Sequence, residues 1–252
     1  VISSADSAVL PAAGVAAGLV GSAGGITSLI SYPVLLAVGL PAHTANIANN
    51  VALVACWPGS ALGSRPELRG KGPWLARWTP IAAIGAAAGA ALLLLTPSHV
   101  FARVVPFLVV VGSLTLLFEP RLRARRQRRA PGNHTLALTA GLIPLSLYNG
   151  YFGAGSGVMT LSLLLILVDG EMTTANALKN MIIGAAVMVS AAIYVVFGPV
   201  HWSAVVPLGL GMLVGSRIGP SVARRLPRGV LRWLVVFLGM ALAIDLFINP
   251  GA

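Results

Sequence analysis

Gly150-Tyr151-Phe152-Gly153-Ala154-Gly155-Ser156-Gly157 places four glycines and a serine in a region otherwise apolar enough for one continuous helix. Glycine weakens a helix more than any residue except proline, and it alone enters left-handed backbone without a steric cost. So dense a cluster reads as a deliberate break. The consequence of a break depends on the solvent. Here 57% of the residues are hydrophobic and 9% charged, and the mean hydropathy is +0.88, which describes an integral membrane protein. Non-helical backbone at membrane depth is tolerated only when buried in protein or lining a watery cavity, because lipid offers its amides no partner.

Working outward, apolar runs of about 20 residues, the length that crosses a bilayer, fall at roughly 78–96, 100–118, 174–197, 203–223 and 229–248. A sixth spans about Thr44 to Gly63. Segments 8–40 and 135–168 are too long for one simple span, and both carry glycine-rich interruptions.

These two segments are related. Gly18, Gly21, Gly25 and Leu29 match Gly150, Gly153, Gly157 and Leu161 in spacing. After a two-residue slip, Thr44-Ala45-Asn46 with Asn50 matches Thr174-Ala175-Asn176 with Asn180; further on, Pro80 meets Pro207 and Pro97 meets Pro227. Internal repetition of this kind is a transporter signature. The expected organisation is a first transmembrane repeat over 1–118, a basic cytoplasmic linker over 119–134 and a second repeat over 135–252.

The net charge of +11 would suggest nucleic acid in a soluble protein, but the basic residues cluster at the ends of apolar runs, as orientation signals do. With the dense Arg121–Arg129 stretch taken as cytoplasmic, Arg65, Arg69, Lys71 and Arg77 also fall inside, as do Arg224, Arg225, Arg228 and Arg232. Segment 8–40 must then end outside, whereas 135–168 must begin and end inside. The halves are expected to be inverted, each a glycine-broken re-entrant helix pair followed by three transmembrane helices: an all-α polytopic membrane protein. Ser3 to Leu10 shows no basic region before its apolar run, so no signal peptide is expected.

Facing breaks in inverted repeats are where midplane substrate sites form. Candidate substrate-binding residues are therefore Gly21, Gly24 and Gly25 in the first break and Gly153, Gly155, Ser156 and Gly157 in the second. Asn46 with Asn50, and Asn176 with Asn180, each share a helix face, and uncharged amides suit a solute that must bind and leave. Interhelical hydrogen bonding is the alternative for each asparagine. Lys179 either attracts an anion or snorkels to the interface. Gly85 with Gly89, and Gly211, Gly215 and Gly219, are spaced for tight helix packing, and the tryptophans read as interfacial anchors.

Carboxylates are scarce: five of the six acidic residues lie near segment ends, and Asp245 sits in an apolar run close to its end. A cation carrier usually needs buried carboxylates, so an anionic or neutral solute is the better expectation. The single Cys56 excludes an intramolecular disulfide, and no metal-ligand spacing such as H-E-x-x-H occurs. No G-K-[ST] follows Gly157, which argues against nucleotide binding. The serines near His43 and His201 have no suggestive carboxylate, which argues against an enzyme.

G-L-P-A-H-T-A-N in the first half and G-E-M-T-T-A-N in the second, each following a glycine-rich segment, together with P-I-A-A-I-G-A-A-A-G and P-L-G-L-G-M-L-V-G-S-R-I-G, resemble the TauE/SafE sulfite-exporter family. The resemblance covers nearly the whole chain. It implies secondary transport of a small anion such as sulfite, a sulfonate or an organic acid, outward across the cell membrane, with no cofactor, no nucleic acid and the lipid bilayer as surroundings; a bacterial inner membrane is the expected location. A passive anion channel shares the architecture and stays open as an alternative, with a membrane-embedded enzyme the more distant one. Oligomeric state and coupling ion are not legible.

Overall fold

The computed structural model describes residues 4–110, 134–168 and 171–223. Those residues form helices and short connections, with no strand among them. The chain runs through α1 (Ser4–Gly24), α2 (Ser28–Ala37), α3 (Ala42–Leu53), α4 (Cys56–Gly63), the single-turn α5 (Arg65–Leu68) and α6 (Gly72–Leu95). It continues with α7 (Ser98–Val110), α8 (His134–Tyr151), α9 (Ser156–Leu167), α10 (Met172–Phe197) and α11 (Trp202–Ala223). Three helices, Gly72–Leu95, Met172–Phe197 and the Trp202–Val222 part of α11, are long and apolar enough to cross a membrane. The Arg121–Arg129 stretch and the 229–248 run lie outside the described residues.

Both over-long segments resolve into helix pairs broken at glycine. The first breaks after Gly24, with Gly25 at φ +82°, and the second over residues 152–155, with Gly153 at +80° and Gly155 at +79°. Left-handed backbone at these three positions excludes a Cβ without strain. The chain reverses sharply at each break: a Cβ on Gly21 would lie 3.0 Å from the Cα of Thr27, and one on Gly141 would meet the Leu163 side chain on the far side of the second break.

Other glycines pack helices. Gly14 and Gly18 of α1 press on the carbonyls of Leu208 and Met212, while Gly211 and Gly215 of α11 press back on those of Pro11 and Val15. The same arrangement joins α6 to α8, with Gly89 against Leu147 O and Gly150 against Ala86 O. Small residues four apart let two backbones approach closely, and in lipid that contact replaces the hydrophobic effect as the attraction between helices.

The apolar run from Thr44 to Gly63 differs from its expected form. It is two helices, α3 and α4, separated at residues 54–55. Pro58 is the cause: it has no N–H to give Val54 O, and its ring would clash with that carbonyl in a regular helix. Trp57 N reaches Val54 O instead, at 3.2 Å, and Val54 N and Ala55 N make similarly tight turn bonds. Its counterpart α10 has Met188 at the matching place and runs unbroken for 26 residues.

Candidate functional site

A break in a membrane helix strands carbonyls, and each must be satisfied within the protein. In the second pair, Asn46 Nδ2 donates to Tyr151 O at 2.8 Å, Tyr148 OH to Ala154 O at 2.7 Å, and Tyr194 OH to Gly150 O. Phe152, inside the break, is enclosed by Tyr32, Phe101 and Tyr148 in edge-on contacts. In the first pair, Ser22 O accepts from Asn176 Nδ2 at 2.9 Å and from Asn180 Nδ2 at 3.1 Å. Gly21 O accepts from Gly25 N at 2.6 Å and from Lys179 Nζ at 3.2 Å. Asn50 donates within its own helix, to Asn46 O at 3.1 Å. The donors of all four candidate asparagines thus reach protein acceptors, and the oxygens of Asn50 and Asn176 have no hydrogen-bond partner.

The two breaks touch. A Cβ on Gly25 would lie 2.5 Å from Gly157 C, and one on Gly157 would lie 2.3 Å from Gly25 O. Beside this contact is a cavity of about 70 Å³, space for roughly five water-sized centres or one solute of a few heavy atoms. The first pair lines it with Gly21, Ser22, Gly25, Thr27 and Ser28, and the second with Asn149, Gly153, Ser156 and Gly157. Helix α10 adds Lys179, Asn180, Ile183, Gly184 and Val187, and the α3–α4 region adds Leu53, Cys56, Trp57 and Ser60.

The electrostatics of this cavity are one-sided. Lys179 is 1% exposed, and among the described residues none that lines the cavity is acidic. Thr27 and Ser28 begin α2, and Gly155 and Ser156 begin α9; neither start carries a side-chain cap bond. Unsatisfied amides at a helix start, with the positive end of its dipole, favour negative charge. Two helix starts and one buried lysine share one small space, although at α9 the Ser156 and Val158 amides already donate to Gly153 O and Gly155 O.

Of the candidate residues, Gly21, Gly25, Gly153, Ser156, Gly157, Lys179 and Asn180 border the cavity, whereas Gly24, Asn46, Asn50, Gly155 and Asn176 do not. Gly24 ends α1, and Gly155 sets the N-cap of α9. Sequence reasoning missed several lining groups, Asn149 and Cys56 among them. Trp57 was read as an interfacial anchor but lines the cavity, its indole against Gly184, where a Cβ would fall 1.9 Å from Trp57 Cδ1. The signal that could have revealed it is Pro58, which breaks the helix beside it.

Helices throughout the described residues, three of them long and apolar enough to cross a membrane, with two glycine-broken pairs lining a cavity, make this a polytopic integral membrane protein. The sulfite exporter TauE/SafE family model matches residues 10–246. The chain belongs to that family and is a membrane transporter. A probable membrane transporter protein of Sinorhizobium is similar at 26% identity, over 93% of this chain and 89% of that protein. One from Haemophilus influenzae is 24% identical over 97% and 95%, and the probable membrane transporter YfcA of Escherichia coli is 24% identical over 91% and 85%. No solved structure matches.

Proposed function

We propose that this protein is a secondary transporter that exports a small anion, sulfite as the family's name indicates or a related sulfonate, by alternating exposure of the cavity between the two glycine breaks. The observation that carries this reading is Lys179, a buried amine with no acidic residue beside it among the described lining residues, next to the uncapped starts of α2 and α9. A buried unpaired charge is costly, and an anion in the cavity offsets that cost. The lining glycines let a solute approach the backbone, Ser156 and Asn180 border it, and Asn46 and Asn176 hold the broken helices in place behind it, with Asn50 bonded within α3. Sited in the cell membrane, as a bacterial inner membrane would place it, such a carrier needs no cofactor and performs no covalent chemistry.

Two inverted repeats account for the contacts. Gly25 and Gly157 are repeat mates that meet each other, as residues on a two-fold axis must. The α1–α11 glycine contacts have counterparts in the α8–α6 ones, so each broken pair packs on a helix of the other half. Such an arrangement supports alternating access by motion of one interlocked bundle against the other.

Equilibrium binding of sulfite and methanesulfonate to purified protein tests the site: Lys179→Gln is expected to weaken affinity about ten- to a hundredfold. Unaltered affinity would remove the site from this cavity. Saturable, trans-stimulated flux in vesicles separates a carrier from a channel.

A further inference from the structure

We propose that Lys179 is also the proton-coupling group: its amine is protonated when an anion occupies the cavity and neutral when the cavity is vacated, so that one proton accompanies each anion. This rests on the anion site proposed above and goes beyond it by naming the coupling ion.

An ammonium carries three donors, and among the described residues the protein acceptor within reach of Nζ is Gly21 O. Of the elements around the cavity, α4 contributes one other titratable side chain, Cys56, while α1, α2, α3, α8 and α9 contribute none to its lining. Arg65, Glu67 and Arg77, on α5 and α6, which pack against α10, do not line it. With no counter-charge among the described lining residues, the protonated and empty site is the expensive state, because a buried ammonium loses its hydration without a paired anion. Two states avoid that expense: a protonated lysine with an anion, and a neutral lysine without one. A neutral amine still donates to Gly21 O, so the break stays satisfied in both.

The proton balance is simple. When the anion leaves, R–NH₃⁺ gives its proton to water on the side to which the cavity is open, and the site returns as R–NH₂; the next anion enters as a proton is taken up on the other side. Asn49, the repeat mate of Lys179, cannot titrate, so the pair supplies one proton per cycle. A monoanion then crosses without net charge movement, and a dianion carries one negative charge.

Methanesulfonate, which stays a monoanion at all working pH values, and sulfite are the probes. Calorimetric titration of purified protein in buffers of different ionisation enthalpy reads proton uptake per anion bound. Uptake approaching one proton is expected above the pH at which the empty site loses its proton, and it should vanish in Lys179→Arg, whose guanidinium keeps its charge. In vesicles, one unit of pH gradient should change the wild-type methanesulfonate rate by up to about tenfold and the Lys179→Arg rate by less than twofold. Binding by wild type without proton uptake at any pH overturns the coupling and leaves the anion site standing, whether or not Lys179→Arg folds. Equal binding by wild type and Lys179→Gln, or no binding of either probe, removes the anion site and the coupling together.

Discussion

Helix α3 and the first half of α10 carry the same spacing, Thr44-Ala45-Asn46 with Asn50 and Thr174-Ala175-Asn176 with Asn180, and each buries the residue just before its last asparagine. In α3 that residue is Asn49, fully buried, which donates to Ser28 Oγ at 3.0 Å and accepts from Ser31 Oγ at 2.5 Å. It ties α3 to α2 of its own half. In α10 the residue is Lys179, which crosses to α1 of the other half and borders the cavity. The shared spacing therefore places a structural clasp at one position and, on the proposed reading, the solute's charge partner at the other. Two charges there would double the cost of desolvation, whereas one charge suits a monovalent solute. The helices differ to match: α3 stops before Pro58, letting Trp57 turn onto Gly184 of the unbroken α10.

The largest effect is expected where the halves meet. Gly25→Ala combines left-handed strain with overlap on Gly157, about 2–6 kcal/mol in all, and should abolish folded protein as judged by size-exclusion yield and thermal unfolding in detergent. Gly153→Ala, whose Cβ meets only Asn149 O at 3.1 Å, should show the strain alone, about 1–3 kcal/mol. Equal losses at both positions would mean that the contact between the breaks contributes nothing.

Next comes the clasp. Asn49→Ala leaves Ser28 and Ser31 without their buried partner and should lower stability by about 1–3 kcal/mol, while anion affinity in the variant that folds stays within about twofold. A large affinity loss here would make Asn49 and Lys179 equivalent, contrary to the comparison drawn above.

The smallest effect separates the two carbonyl-capping asparagines. Asn46→Ala removes the side-chain donor to Tyr151 O and should cost about 1–2 kcal/mol. In Asn176→Ala the Ser22 carbonyl keeps Asn180, so about half that loss is expected. Unfolding midpoints of the two variants, measured side by side, check the order; a reversed order would place Asn176 in a role its hydrogen bond does not explain.

The membrane class, the helical fold and the positions of both breaks were legible in the sequence, because hydropathy and glycine density are local properties that lipid and backbone sterics enforce whatever the neighbours. The split at 54–55 was legible too, in Pro58, but a long apolar run concealed it. What polar side chains do was not. Spacing put Asn46, Asn176 and Lys179 on helix faces, yet which carbonyl each meets, and that Lys179 borders the cavity while Asn176 stands behind it, depends on contacts such as Asn176 to Ser22 that join residues 154 positions apart. A buried donor takes whichever acceptor packing brings within reach, and only the assembled helices decide which one that is.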